Sequence, residues 1–266
     1  MSIEDFAKAT FEYQGEARAV YRKGSGPGVV VIHEIPGITP EVARFARFVA
    51  DAGFTAVLPH LFGTPGKPYS LGYVARGIAG ACISREFHVL AKRSSSPITD
   101  WLRALCRQVH EECGGPGVGA IGMCLTGNFA LSLMVDEAVM APVLSQPSLP
   151  FGVSAEHRAA LHVSDADLDV VRRRSSSGCP VLGLKFTHDP MCPAERFETL
   201  RRELGDGFEG IEIDSSPGNP HGIARVAHSV VTNDLVDEAG HPTREALDRV
   251  LAFFGEQLGV PAPAAQ

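Results

Sequence analysis

The sequence predicts an α/β domain built on a mostly parallel sheet with helices on both faces. Two observations carry this reading. Apolar runs of strand length alternate with segments of helical period, and the runs are continuously hydrophobic, as in strands covered on both sides. Strand, helix and strand in succession supply the crossovers that parallel neighbours require.

Taken in order, Ala17 to Tyr21, after a Gln14-Gly15 turn, reads as an antiparallel edge strand, and Val29 to Ile32 as a buried one. A helix follows with Thr39 as N-cap, Pro40 at its first position and apolar residues at Val42, Phe45, Ala46 and Val49; Gly53 ends it. Thr55 to Leu58 is the next strand, Gly63 to Ser70 a loop, and Leu71 to Leu90 a helix interrupted by glycines. Strands are then expected at Val118–Ile121, Val139–Leu144, Val181–Phe186 and Phe208–Ile213. Helices are expected at Leu125–Val135, Pro193–Leu204, and from about Pro242 to Leu258. The segment Ile223 to Val231 also looks helical. Residues 1–266 read as one domain, with an insert at 148–180 that suits a lid and holds short helices at Ala155–Leu161 and Asp165–Arg173, the latter capped by Ser164.

Charge and composition exclude several classes. A net charge of −7 disfavours a phosphate-tracking surface, so no nucleic-acid partner is expected; Arg172-Arg173-Arg174 reads as the solvated end of a helix. The N-terminal MSIEDFAKATFEY is acidic where a signal peptide is basic, and no apolar stretch reaches membrane-spanning length, which predicts a cytoplasmic protein without a membrane partner. The six cysteines, Cys82, Cys106, Cys113, Cys124, Cys179 and Cys192, are irregularly spaced and read as reduced thiols.

In a sheet of this kind ligands bind at the carboxyl ends of the strands. Four loops fall there: His33 to Gly37, the turn at Cys124, Thr187 to Pro190, and Pro217 to Gly222. In GAIGMCLTGNFA, a strand runs through a tight turn flanked by Gly122 and Gly127 into a helix, as a nucleophile elbow requires, and the start of that helix favours negative charge on the sulfur. A small buried hydrophobe is the plainer reading of the same cysteine. An acid and a histidine follow in the order that an α/β-hydrolase uses: Asp189 after one strand, and His221 in a Gly/Pro-rich loop before the last helix. His228 is the rival base, placed second because its segment looks helical. A metal reading of His188, Asp189 and Cys192 lacks a second tight pair of ligands, so no metal and no cofactor is expected.

These residues resemble the dienelactone hydrolases, α/β-hydrolases with a cysteine nucleophile, from Val29 to the final helix. The matching elements are Glu34-Ile35 with Gly37, Gly122-x-Cys124-Leu125-x-Gly127, Asp189-x-x-x-Pro193 and His221-x-x-Ala224-Arg225. The resemblance implies a triad of Cys124, Asp189 and His221, with Glu34 as an auxiliary acid near the sulfur. It also implies an oxyanion hole from the backbone N–H groups of Leu125 and Ile35, and a substrate carboxylate held by Arg225 and, as a second candidate, Arg85. The chain departs from the family pattern at Thr126, where a glycine is usual, at Gly222, where a serine commonly follows the histidine, and in the length of the 148–180 segment. The expected activity is hydrolysis of lactones or activated esters through a thioester, with a small-molecule ester or lactone as substrate; a carboxylate on that substrate and a homo-oligomer are left open. A binding protein that keeps the fold without the chemistry, or an acyltransferase with the same triad, is the alternative.

Overall fold

The computed structural model describes residues 3–70, 72–74, 77, 97–149 and 151–261. Two antiparallel strands open the chain, β1 (Ala7–Tyr13) and β2 (Glu16–Gly24), joined through Gln14 and Gly15, both at positive φ. There follow β3 (Gly28–Ile32), α1 (Pro40–Asp51), β4 (Thr55–Pro59), α2 (Pro97–Cys113) and β5 (Val118–Met123). Next come α3 (Phe129–Leu133), β6 (Val139–Ser145), α4 (Ala155–Ala159) and α5 (Asp165–Ser176). The chain closes with β7 (Val181–Phe186), α6 (Ala194–Leu204), β8 (Phe208–Ile213) and α7 (Pro242–Leu258). The strands form one sheet in the order β1-β2-β4-β3-β5-β6-β7-β8, antiparallel at β1, β2 and β4 and parallel from β4 onward.

Strand side chains alternate between two apolar layers, which is why the central runs are apolar at every position. Val29 and Val31 join α1 and α7 through Val42, Phe45, Val49, Val250 and Phe254, whereas Val30 and Ile32 face α2 and its neighbours through Leu102, Leu105 and Val109. Each such large aliphatic or aromatic side chain contributes about 1.5–3 kcal/mol by leaving water. The helix ends follow local chemistry: Thr39 Oγ1 accepts from Val42 N–H at 3.3 Å, Ser164 Oγ from Asp167 N–H at 3.0 Å, and Gly259 closes α7 in the left-handed region.

Several expectations change. The edge strand is β1, not the Ala17–Tyr21 run, which is the core of β2. β1 escapes a hydrophobic reading because its residues are mostly exposed. α2, whose Trp101, Leu102, Leu105 and Val109 are buried, was not foreseen either. The helix expected over Leu125–Val135 is a 3-10 turn, Cys124–Thr126, followed by the short α3. Ile223–Val231 is not helical but a series of turns. Of the three arginines, Arg174 is half-buried and not a free end: its guanidinium donates to the carbonyls of Met134, Asp136 and Val139. Most of the helix expected over Leu71–Leu90 lies outside the described residues, as do Cys82 and Arg85.

The 148–180 segment is fastened along α6 rather than hanging free. The buried guanidinium of Arg196 on α6 donates to the carbonyls of Pro147, His157 and Ala160, and Arg172 bonds Glu203. No helix among the described residues is long and apolar enough to cross a membrane.

Candidate active site

The loops after β3, β5, β6, β7 and β8 meet at the carboxyl edge of the sheet. β5 ends at Met123 and the chain turns so sharply that Cys124 takes φ +54°, a left-handed conformation that a non-glycine residue holds at a cost of about 1–3 kcal/mol. Tight backbone approaches explain the flanking glycines. A Cβ on Gly122 would lie 2.1 Å from the carbonyl oxygen of Thr126, and one on Gly127 would lie 2.5 Å from Pro147 Cα. Thr126, the departure from the family's glycine, has a structural task. Its buried hydroxyl accepts from Met123 N–H at 3.0 Å and faces the carbonyls of Met123, Ile32 and His33 at 2.9–3.2 Å, tying the elbow to the end of β3.

Cys124 is 6% exposed, and its carbonyl accepts from the N–H groups of Gly127 and Ser148. The imidazole that faces its sulfur is His228. Nδ1 of His228 donates to Asp189 Oδ2 at 2.7 Å, while Nε2 lies toward Cys124 and 3.5 Å from Ser148 Oγ. Asp189 is buried, and its other oxygen accepts from Met191 N–H at 2.9 Å. Burial opposes charge on His228, but a negative sulfur at Cys124 and the bonds to Cys124 and Asp189 outweigh it, holding the imidazole well above the ordinary histidine range.

The structure therefore sets His228, and not His221, between Asp189 and the sulfur. His221 is exposed, its N–H bonds Asn219 Oδ1 at 3.2 Å, and its ring meets that of His241 with centroids 5.3 Å apart. The loop after β8 does not stop at His221. Asn219 folds it back by bonding Ser216 O, Ile223 O and Ile223 N–H, and only further on does the chain reach Cys124. Asp234 then fixes the final approach, its Oδ2 accepting from the N–H groups of His228 and Ser229 at 2.9 and 2.8 Å. One signal in the sequence favours His228 over His221: the serine that commonly follows the family's histidine is present as Ser229. With His228 facing the sulfur, Arg225 loses its alignment. It precedes that histidine, it is exposed, and the position four residues after His228 is Thr232.

Glu34 is buried beneath this loop rather than bonded to the sulfur. Its carboxylate accepts from Ser229 Oγ at 2.8 Å, Gln146 Nε2 at 3.3 Å and Thr232 Oγ1. Burial raises its pKa, against the opposing pull of the Thr232 bond, the His228 charge and the Ser229 bond. Beside it His33 is fully buried, and burial pushes it down to about 4, so it stays neutral: Nδ1 donates to Glu34 O and Nε2 accepts from Leu61 N–H. Ile35 and Leu125 pack with Cys124 and Leu149 in one apolar cluster edged by Phe62 and Val74. Among the described residues, the backbone N–H groups of Ile35 and Leu125 meet no protein acceptor, which leaves both able to donate to a ligand. His188 is exposed and bonded to Thr187, apart from Asp189 and the buried Cys192. The five described cysteines are all free.

Strand order and a cysteine at a strained strand-to-helix turn place the molecule in the α/β-hydrolase fold. Within it, the model of the dienelactone hydrolase family matches residues 16–258, and the chain belongs to that family. A Saccharomyces cerevisiae protein described as "Putative carboxymethylenebutenolidase" is 27% identical over 123 residues, 46% of this chain and 43% of that protein, so the match spans less than half of the relative's length. Among solved structures, one of a "Putative Dienelactone Hydrolase" from Klebsiella pneumoniae subsp. pneumoniae MGH 78578 superposes with TM-score 0.62 at 18% identity, covering 94% of this chain and 98% of that one. A dienelactone hydrolase-like promiscuous phosphotriesterase from metagenomic libraries superposes with TM-score 0.60, also at 18% identity, covering 96% and 98%.

Proposed function

We propose that this protein hydrolyses lactones and activated esters through a thioester on Cys124. The observation that carries the reading is the continuous line from Asp189 through His228 to a cysteine held at positive φ on the elbow. In this mechanism Cys124 Sγ attacks the acyl carbon. The C–S bond forms as the carbonyl pair moves onto oxygen, where the N–H groups of Leu125 and Ile35 hold the charge. Cys124 attacks as the thiolate with its proton held on His228 Nε2. Collapse expels the alcohol or enol oxygen, and that proton passes to it, directly or after an enolate has departed, which leaves Nε2 free to act as a base. His228 then removes a proton from water as the water attacks the thioester, and the thiolate departs. Asp189 fixes the imidazole with Nδ1 protonated, so that Nε2 faces the sulfur. Glu34 works at one remove, bracing the histidine loop through Ser229 and Thr232.

A thiolate leaves a tetrahedral intermediate more readily than an alkoxide does. Alkyl esters therefore tend to return to starting material, whereas enol and aryl esters go forward. The test is turnover of p-nitrophenyl acetate with intact-protein mass measured during the reaction. His228→Ala is expected to lose at least a hundredfold in kcat/KM, in line with removal of a general base, while His221→Ala keeps most activity. Wild type should carry one acyl group, absent in Cys124→Ala. The opposite ranking of the two histidines, with both variants folded, would overturn the assignment.

A further inference from the structure

We infer that Ser148 is a positioning residue of this site: its hydroxyl accepts the Nε2 proton of His228 and steadies the protonated imidazole from the side opposite Asp189; the inference rests on the hydrolase reading above and adds a member to that machinery. Two observations support it, the contact itself and the way the loop after β6 is built to present it.

Ser148 is fully buried, and its Oγ lies 3.0 Å from Gln146 O and 3.5 Å from His228 Nε2. A hydroxyl has one proton and two lone pairs. A carbonyl only accepts, so the proton goes to Gln146 O and the lone pairs are left for Nε2. In this arrangement Ser148 serves His228 when Nε2 carries a proton. Nδ1 already holds one, bonded to Asp189 at 2.7 Å, so that state is the imidazolium. The serine thus favours the charged ring over the neutral one. The ionisable groups around the ring are Cys124 from the elbow, Asp189 after β7, Glu34 after β3 and Asp234 on its own loop. Ser148 adds a neutral acceptor from the loop after β6.

That loop is held at each residue. Gln146, a non-glycine at φ +34°, donates its N–H to Leu184 O at 2.7 Å, and its side-chain amide joins Ser145 Oγ and Glu34 Oε2. Pro147 O accepts from the guanidinium of Arg196 at 2.6 Å, Ser148 N–H donates to Cys124 O at 2.9 Å, and Leu149 O accepts from Asn128 Nδ2. Backbone strain persists where surrounding bonds over-determine it, and it gathers at functional sites. Here the over-determined loop fixes one hydroxyl against the general base. The effect falls on deacylation. In the acyl-enzyme the sulfur is tied up in the thioester and no longer offers Nε2 an anion. As water attacks, its proton passes to Nε2, and Ser148 Oγ is the acceptor that the loop supplies to the new N–H.

The experiment has two arms, each using Ser148→Ala and Ser148→Gly. Both substitutions drop the hydroxyl and keep the backbone bond to Cys124 O, so one serves if the other fails to fold. In the first arm His228 is titrated by NMR in protein with isotope-labelled histidine, its signal assigned by its loss in His228→Gln. The background is Cys124→Ala, which removes the charge of the sulfur. Losing an acceptor for the charged form should lower the His228 midpoint by about half a pH unit or more. In the second arm, with Cys124 intact, the enzyme is acylated by one equivalent of p-nitrophenyl acetate and the decay of the acyl group is followed by intact mass. Decay should slow by about fivefold or more, the loss expected for one hydrogen bond to a charged group. An unchanged midpoint overturns the inference, and so does decay at the wild-type rate in a folded variant. The titration needs no turnover, so failure of the hydrolase reading shows separately: no acyl group forms on wild type, or Cys124→Ala is as active as wild type.

Discussion

Removing the hydroxyl of Thr126 while keeping its shape tests how the elbow is held. Thr126→Val replaces a fully buried Oγ1 with a methyl group. It leaves Met123 N–H without the acceptor now at 3.0 Å and withdraws the one hydroxyl proton that serves the carbonyls of Met123, Ile32 and His33. A buried donor left unpaired costs about 1–3 kcal/mol, and the lost O–H bond adds about 1. The expected destabilisation is therefore about 2–4 kcal/mol, or roughly 4–7 °C in Tm for a chain of this size. Thr126→Ser keeps every hydrogen bond and deletes one buried methyl, which costs about 1 kcal/mol. The hydroxyl also sets the spacing between the loops that carry Leu125 and Ile35, so kcat should fall in the valine variant and largely survive in the serine variant. Urea unfolding followed by circular dichroism, with ester turnover on the same samples, measures both. A valine variant as stable as wild type, or a serine variant as unstable as the valine one, would refute the reasoning.

Acid should weaken the fold through His33. Its native pKa is about 4 against 6.5 unfolded, so between these values the unfolded chain binds the extra proton. Stability contributed by the neutral imidazole is complete above pH 6.5, falls by about 3 kcal/mol as pH drops toward 4, and levels off below that. His33→Gln should flatten this slope in urea unfolding at stepped pH, and an unchanged slope would exclude His33 as its source. Limiting iodoacetamide should modify Cys124 before Cys106 and Cys192, whose thiols burial pushes up to about 12, with activity lost in step. Peptide mapping that finds loss of activity tracking Cys113 instead would count against Cys124 as the nucleophile.

The parts of the molecule legible in the sequence were those with a local cause. Val29 to Ile32 and Val181 to Phe186 are apolar at every position because both faces of the strand are covered, and Thr39-Pro40 and Ser164 announce their helices through capping chemistry that needs no tertiary context. The elbow was legible for the same reason: Gly122 and Gly127 are small because backbone atoms crowd them from a few residues away. β1 was not, since a strand with little buried surface has no hydrophobic period to read. His228 ranks behind His221 in the sequence because Ile223 to Val231 has apolar residues at helical spacing. Ala227, Val230 and Val231 are indeed buried, but in a run of turns held by side-chain bonds from Asn219 and Asp234 that no period reveals. Glu34 was expected to belong to the site, but its bonds to Ser229, Thr232 and Gln146 join residues far apart in sequence.

Residues 214–241, between β8 and α7, deliver the histidine through carboxylate clamps rather than through the regular geometry of a strand or helix. What fixes the imidazole is therefore the pair of carboxylates that catch His228, Ser229 and Thr232, and not the number of residues since the strand. Engineering of this loop, whether to shorten it or to graft a different rim beside the site, should treat the stretch from His228 to Asp234 as one transplantable piece. The turns before it are braced separately, by Asn219 through its bonds to Ser216 and Ile223, and that brace has to be kept or replaced.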